Sequence, residues 1–292
     1  MSTRDRDPDQ GVFDFSRIQA LPDPLEKTKA AHLELARFQE ATTELQRLRR
    51  EGVEDLQAKG WKPREIAAHL DVSRQRVEQI GRNGPPPARA FFGRGPLRIA
   101  VGEKIEAPKD SGKAGPAVAT EDLAAYEILG NLARDLKLEV SFEAIKPPGM
   151  FDTNRENLVV ICGPRLSPVV AQMLQGDPNL GFGKSDKRWH LHDNNTRESY
   201  RSPLDDDVLA DYAYLGRLPR LDGKGAFTYI AGIHSIGATG VTHWLAHNLN
   251  EIYAEVGDSA LFSTLIRCEF EASPLRITHS ERVSPIYVRG EA

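Results

Sequence analysis

The spacing of apolar residues differs between the two ends of the chain and predicts two kinds of structure. Up to about residue 83, apolar positions recur at steps of three and four residues with charges between them, as in amphipathic helices. We expect one long or one broken helix after Asp23-Pro24, followed by a second that ends near Gly60. The charged side indicates a solvated surface, and a dimer-forming coiled coil is the alternative. The apolar positions concerned are Leu33, Leu35, Phe38, Leu45 and Leu48.

Beyond residue 96, short apolar runs alternate with helical segments. The strongest strands are predicted at 97–102, 157–163 and 227–233, and the clearest helices at 121–138 and 237–257. Helices of this length between strands favour βαβ crossovers, so we expect a Rossmann-like α/β domain with a mainly parallel sheet. Further elements are a helix at 167–175, strands at 138–145, 188–193, 211–219 and 260–272, and an additional strand within ITHSERVSPIYVR.

These patterns divide the chain into four segments. Residues 1–22 are polar and are predicted to form a disordered tail, and residues 23–83 form an all-α domain. The segment 84–95 contains Pro85-Pro86-Pro87, which cannot continue a helix, and is predicted to be a Pro/Gly-rich linker. Residues 96–292 form an α/β domain with a ligand-binding or catalytic role.

Composition narrows the class of protein. The chain has 292 residues, of which 40% are hydrophobic and 27% charged, as in ordinary soluble proteins. Cys162 and Cys268 are far apart and lack the spacing of a disulfide framework or a zinc site. The start MSTRDRDPDQG does not resemble a secretory signal, and no apolar run approaches the ~18 residues that span a bilayer. We expect a cytoplasmic protein with no membrane partner.

Positive charge is concentrated in one segment although the whole chain has a formal net charge of -4. Between residues 59 and 94, eight basic residues stand against three acidic ones. Because salt screens charges beyond a Debye length of about 8 Å, the local excess sets the field that a phosphate group would experience. An acidic remainder therefore does not exclude DNA, but it favours weak non-specific binding and more dependence on sequence readout.

The segment REIAAHLDVSRQRVEQIG, residues 64–81, has the pattern of two short helices joined by a turn. Lys62-Pro63 begins the first helix, and Ser73 can cap the second. Asp71-Val72 forms the turn, where we expect Val72 to fill the joint between the helices. The positions expected to face inward are Ile66, Ala67, Leu70, Val77 and Ile80.

The longer run GWKPREIAAHLDVSRQRVEQI resembles the helix-turn-helix of bacterial transcription regulators, in the form shared with sigma-factor promoter-reading domains, over about residues 52–83. The resemblance implies that the helix from Ser73 to Arg82 enters the major groove of double-stranded DNA. It also implies that the protein binds two half-sites as a homodimer. A plain helical hairpin with a basic surface is the alternative. The implied DNA-contacting residues are Arg74, Gln75 and Gln79 near base edges, Lys62 and Arg76 at phosphates, and Ser73 and Arg82.

Three loops follow predicted strands at the edge where open α/β sheets bind ligands. They span residues 101–122, 162–168 and 231–240, and they combine glycines with hydroxyl groups, basic side chains and helix starts. Such loops suit a phosphorylated or other anionic effector, and ordinary βα turns are the alternative. The candidate ligand-binding residues are Gly102, Lys104, Lys113, Gly163, Arg165, Ser167, Gly232, His234, Ser235, Gly237 and Thr239, with Lys109 as a further charge.

No enzyme class is indicated, and no cofactor is identified. The chain contains no GxGxxG, Walker-type GxxxxGK[ST], GxSxG or HExxH motif. His190 and His192 alternate beside Asp193 without a clear third ligand, so no metal site is predicted. Aspartates 205–207 are expected to cap the following segment. The residues considered for chemistry are Cys162, Asp193, Asp211, His234, His243 and these three aspartates.

Three functions remain open at this point. The first is a transcriptional regulator whose α/β domain senses a small, nucleotide-like or anionic effector. The second is a nucleotide- or nucleoside-processing enzyme that carries a helix-turn-helix, with His234 and Asp211 as acid/base groups. The third is an α/β domain that serves oligomerisation only. The sequence favours the first.

Overall fold

The computed structural model describes residues 15–106 and 115–291. The chain divides into two compact units, residues 1–84 and 85–292. Within the described ranges, the first unit forms helices and no strands, and the second combines a large sheet with helices. Among the described residues, no helix has both the length and the apolar character needed to cross a bilayer.

The described part of the first unit contains four helices, which are α1 (Phe15–Gln19), α2 (Pro24–Ala58), α3 (Pro63–His69) and α4 (Arg74–Asn83). The Asp23 side chain caps α2 by accepting a hydrogen bond from the backbone N–H of Leu25 at 3.1 Å. Because α2 runs unbroken for 35 residues, the second helix expected before Gly60 is part of it. Part of the expected disordered tail is helical in α1, and residues 1–14 lie outside the described part.

A small apolar core holds α2, α3 and α4 together. It consists of Val53, Ile66, Ala67, Val77 and Ile80. The other two positions expected at this joint are exposed, with 47% of Leu70 and 38% of Val72 accessible. The backbone N–H of Val72 donates to the carbonyl of Ala67 at 3.0 Å, and Asp71 has a φ of 51°. This left-handed helix end turns the chain away from the core, which is why the prediction for Leu70 and Val72 was wrong.

The second unit is built on an eight-stranded sheet in the order β12-β11-β9-β10-β5-β1-β4, with β13 paired to β11. The four neighbours β10, β5, β1 and β4 are parallel, whereas β9, β11, β12 and β13 pair antiparallel. The strands are β1 (Leu97–Gly102), β4 (Val140–Ile145), β5 (Leu158–Ile161), β9 (Ala210–Pro219), β10 (Ala226–Gly232), β11 (Ala260–Ala272), β12 (Leu275–Arg282) and β13 (Tyr287–Glu291).

The second unit is an α/β domain with a mixed sheet, in which the core strands β10, β5, β1 and β4 are parallel as expected and the remaining strands pair antiparallel. The β9–β10 connection spans residues 220–225 and the β11–β12 connection spans only residues 273–274. Links this short cannot make the crossover that parallel neighbours need, so these strands return as hairpins.

The sheet separates two cores because alternate residues of each strand face opposite sides. Helices α5 (Thr120–Asp135) and α7 (Ser235–Val256) pack with Ile99 and Ile161. Helix α6 (Pro168–Leu174) packs on the other face with Ala100 and Val160. A meander of β6 (Leu180–Ser185), β7 (Arg188–Asp193) and β8 (Glu198–Arg201) contributes to this second core, and a small hairpin pairs β2 (Lys104–Glu106) with β3 (Gly115–Ala117).

Residues 87–92, within the expected linker, are part of the folded core. They form a 3-10 helix in which Phe91 and Phe92 are buried among residues of α7 and the sheet. The guanidinium of Arg217 donates to the carbonyl of Phe91 at 3.0 Å and lies 5.0 Å from its ring centre. The three prolines indicated a linker, but the apolar residues after them are buried, which corrects this boundary.

Candidate functional site

The three glycine-containing loops meet at one edge of the sheet. Because β1, β5 and β10 are parallel, their carboxyl ends lie side by side and bring together Gly102, Gly163 and Gly232. Strand β4 lies on one side of β1 and β5 on the other, so the chain reverses its winding direction here. A cavity of about 330 Å³ lies at this edge.

Most of the candidate ligand-binding residues line this cavity. Those that do are Gly102, Lys104, Gly163, Arg165, Gly232, His234 and Ser235. Ser167 is buried behind it, where its hydroxyl donates to the carbonyl of Gly149 at 2.6 Å and caps α6. The hydroxyl of Thr239 donates to the carbonyl of Glu121 at 2.7 Å. These two side chains support the loops, and Lys109 and Lys113 lie outside the described residues.

Asp211 organises the third loop from beneath. Its carboxylate accepts the backbone N–H of His234 at 2.9 Å, and a Cβ on Gly237 would lie 2.6 Å from it. Burial raises the pKa of Asp211 to about 6, while the hydrogen bonds from Ser202 and from the His234 N–H oppose the rise. Neither Asp211 nor Gly237 lines the cavity, so both act as positioning residues.

The His234 side chain has a carboxylate partner that the sequence did not suggest. Its Nε2 lies 3.0 Å from Asp205, which stands in the 3-10 helix Pro203–Asp206 and lines the cavity. Ser202 caps this 3-10 helix by accepting the backbone N–H of Leu204. Asp205 therefore orients the histidine at the cavity wall.

Six cavity residues with charged or aromatic side chains were not assigned to a ligand site from the sequence, and they come from elements far apart in the chain. Asp122 lies in the first turn of α5, and the others belong to the 3-10 helix or to the β6–β7 hairpin. No local pattern marks them, because the packing of the meander beside the sheet edge brings them to the site. They are Asp122, Phe182, Lys187, Arg188, Trp189 and Asp205.

Positive charge predominates around the cavity. Its cations are Lys104, Arg165, Lys187 and Arg188, against two carboxylates. Arg188 lies 3.2 Å from Asp206, whereas Arg165 and Lys187 form no ion pair with a carboxylate in the described part of the chain. This composition suits an anionic ligand.

Burial raises the pKa values of two groups that line the cavity, Asp122 and Cys162. Burial, followed by repulsion from Glu121, raises the pKa of Asp122 to about 7, although Lys104 opposes the shift. The pKa of the Cys162 thiol rises to about 12 for the same main reason, so it stays protonated at neutral pH. Cys162 therefore acts as a small packing residue.

The long helix α7 begins at the cavity. His234 occupies its N-cap position without a side-chain cap hydrogen bond, and both His234 and Ser235 line the cavity. The first N–H groups of a helix lack partners within the helix and carry partial positive charge. They add to the anion-binding character of this edge.

The second feature of interest is the surface of α4. The Ser73 side chain caps this helix by accepting the backbone N–H of Arg76 at 3.1 Å. Arg74 pairs with Glu78 at 2.8 Å, and Arg76 donates to Gln79 at 3.3 Å. All seven candidate DNA-contacting residues are exposed, namely Lys62, Ser73, Arg74, Gln75, Arg76, Gln79 and Arg82.

Asp193 and His243, two other residues considered for chemistry, form hydrogen bonds with neighbouring residues. Asp193, beside the His190 and His192 pair, accepts hydrogen bonds from the Tyr287 hydroxyl at 2.6 Å and the Asn195 backbone at 2.8 Å. His243 Nδ1 lies 2.7 Å from the hydroxyl of Ser280. Within residues 15–106 and 115–291, no cluster of three or more suitable side chains could hold a metal ion.

Comparisons with known proteins identified no relative of this chain. No protein-family model, curated protein or solved structure matches the chain. Function is therefore inferred from two features of the molecule, the exposed face of α4 and the cationic cavity at the sheet edge.

Proposed function

We propose that this protein is a sequence-specific DNA-binding transcriptional regulator whose α/β unit senses a small anionic, nucleotide-like effector. The observation that carries the DNA-binding part is the division of α4 into two faces. Val77 and Ile80 are buried in the helical core, whereas the polar side chains of the same helix are exposed. A helix held in this way presents its outer face to a groove without losing its own core.

The chemistry of that outer face suits base recognition. Arginine can make paired hydrogen bonds with guanine, and glutamine with adenine, in the major groove. Arg74, Gln75 and Gln79 are the proposed base readers. Lys62 and Arg76 are assigned to phosphates, which position the protein and contribute to affinity on any sequence. A homodimer would place two such helices on two half-sites.

The effector part of the proposal rests on the cavity at the sheet edge. Three loop ends, the start of α7 and four basic side chains surround a space of about 330 Å³. An effector regulates only if its affinity differs between the DNA-binding and non-binding states of the protein.

The DNA-binding proposal is tested by in vitro selection of duplex sequences on the full-length chain, followed by affinity measurements at fixed salt. Arg74→Ala and Gln79→Ala should each weaken binding to the enriched sequence by about 5- to 150-fold, because one lost paired contact removes about 1–3 kcal/mol of discrimination. Each variant should also relax sequence preference at one base position.

Arg37→Ala is the matched control for Arg74→Ala. Both arginines are exposed, at 77% and 71% of their side chains, and each lies 2.8 Å from a glutamate one turn away on its own helix. Arg37 lies on α2 and has no proposed DNA contact. Equal effects of the two substitutions, or a selection that enriches no sequence, would contradict the proposal.

One observation favours a second candidate function, a nucleotide- or nucleoside-processing enzyme. His234 and Asp205 form a 3.0 Å pair at the wall of the cavity, an arrangement that can hold a histidine ready for proton transfer. Incubation of the full-length chain with a panel of nucleotides and nucleosides, analysed by chromatography, separates the two functions. Product that disappears with His234→Ala supports the enzyme, and binding without product supports the sensor.

A further inference from the structure

The cavity has two chemically different sides. The side formed by the sheet edge carries glycine loops, Arg165 and the beginning of α7. The other side is formed by the β6–β7 hairpin and carries the aromatic rings of Phe182 and Trp189 beside the basic side chains of Lys187 and Arg188. An anion alone requires the basic groups but not the rings. A ligand that uses both must join a charged group to a flat apolar one.

The hairpin holds Trp189 in place. Its two-residue loop, Asp186-Lys187, has φ values of 50° and 66°, the backbone of a tight type I′ turn that fixes strand register. In that register Trp189 pairs with Lys184, whose Nζ lies 5.9 Å from the ring centre. Phe182 makes an edge contact with Trp189 at 6.4 Å. The indole is thus a fixed part of the cavity wall.

The size of the cavity limits the ligand. Small-molecule pockets span about 300–1,000 Å³. At about 330 Å³ this cavity is near the lower limit, which suits a mononucleotide better than a dinucleotide. A nucleotide also supplies the required combination, since its phosphate is anionic and every base has a π-face that stacks on aromatic side chains.

We infer that the cavity binds a nucleoside monophosphate, with the base against Trp189 and Phe182 and the phosphate between Arg165 and the start of α7. This inference rests on the proposed function, since it names the effector class of the same site. It adds a specific claim, namely that the protein recognises the base as well as the charge. Trp189 is the residue that distinguishes a nucleotide from a sugar phosphate.

The test uses tryptophan fluorescence and calorimetry on the full-length chain. The three tryptophans are Trp61, Trp189 and Trp244. Trp244 is buried in the core, with 4% exposed, and Trp61 belongs to the helical unit. In a Trp61→Phe background only Trp189 and the buried Trp244 remain, and of these two only Trp189 lines the cavity. The probes are AMP, GMP, CMP and UMP, compared with ribose 5-phosphate.

We expect at least one nucleotide to quench the fluorescence and to bind about 5- to 150-fold more tightly than ribose 5-phosphate, the gain expected from one stacked base. Trp189→Leu, which keeps an apolar side chain but removes the ring, should abolish this preference. The same variant should bind ribose 5-phosphate as the parent does, which also shows that the site remains folded. Arg165→Gln should weaken both kinds of probe.

Two results would overturn the inference, and they have different consequences for the proposed effector site. If ribose 5-phosphate binds as tightly as every nucleotide, or if Trp189→Leu leaves the nucleotide preference intact, the base-recognition claim fails while an anionic effector site remains. If none of the probes binds by calorimetry, both the inference and the proposed nucleotide-like effector fail.

Discussion

At the scale of single residues, the cavity depends on glycines whose roles can be distinguished only in the folded chain. Gly163 and Gly232 look alike in the sequence, since each follows an apolar strand. A Cβ on Gly232 would collide with the carbonyl oxygen of His234, whereas a Cβ on Gly163 would meet nothing within 4 Å. Of these two glycines, only Gly232 is required for lack of space, and this difference depends on backbone contacts that the sequence does not specify.

Asp122 provides a prediction with a defined pH dependence. Its pKa rises from 3.8 to about 7 on folding, so the folded chain holds the proton more tightly than the unfolded chain. Stability is therefore lost as pH increases above 3.8, and the loss is complete above about 7. Asp122→Asn should remove this loss. The free energy of unfolding of the variant, relative to that of the parent, should therefore increase by about 1–2 kcal/mol from pH 5 to pH 8, a figure that allows for the partial exposure of the side chain.

The measurement is urea unfolding of both chains across this pH range. Glu127→Gln is the matched control, because Glu127 is an exposed carboxylate on the same helix and does not line the cavity. Its profile should follow that of the parent much more closely. Profiles of Asp122→Asn and the parent that stay parallel from pH 5 to pH 8 would show that Asp122 ionises normally.

At the scale of elements, periodicity predicted most helices and strands but not their assembly. The strands at 97–102 and 260–272 were predicted with the bounds that the structure has. The sheet was expected to be mainly parallel because helices alternate with strands along the chain. That order does not reveal which neighbouring strands are joined as hairpins. The β6–β7 hairpin was predicted only as one isolated strand, and its position beside the sheet edge was not predicted at all.

The helical unit gives a direct test of its own packing. Ile80 of α4 is buried, with 5% exposed, whereas Leu70 is 47% exposed. Ile80→Ala should lower the free energy of unfolding of this unit by about 2–5 kcal/mol, as expected for a large-to-small substitution in a core. Leu70→Ala, an equally large truncation, should change it by less than about 1 kcal/mol.

Urea unfolding of the full-length chain, followed by Trp61 fluorescence, measures both variants. Trp61 is a suitable reporter because it lies in the loop before α3 and its ring is 5.1 Å from that of His69. Comparison with a Trp61→Phe chain identifies the part of the signal that belongs to this unit. A larger effect from Leu70→Ala than from Ile80→Ala would mean that the helices pack through the other face.

At the scale of the whole molecule, the proposal joins a charged helix surface and a ligand cavity in one chain. The net charge of -4 and the local basic segment are compatible because α4 and its surroundings carry their own field. The sequence predicted both the exposed face of α4 and the meeting of three loops. It did not predict Trp189 or Asp205 in the site, since both reach it through tertiary packing.

The most direct test of the account measures DNA affinity of the full-length chain with and without a bound nucleotide. The DNA is the sequence enriched by selection, the salt is fixed, and the nucleotide is one whose binding calorimetry has established. The account predicts a shift of the DNA dissociation constant of about 5- to 150-fold, the usual range of coupling between two sites. At a nucleotide concentration that just saturates the parent, Arg165→Gln should reduce the shift, because it weakens nucleotide binding, and it should leave DNA affinity in the absence of nucleotide unchanged. An unchanged DNA affinity at saturating nucleotide would contradict the account.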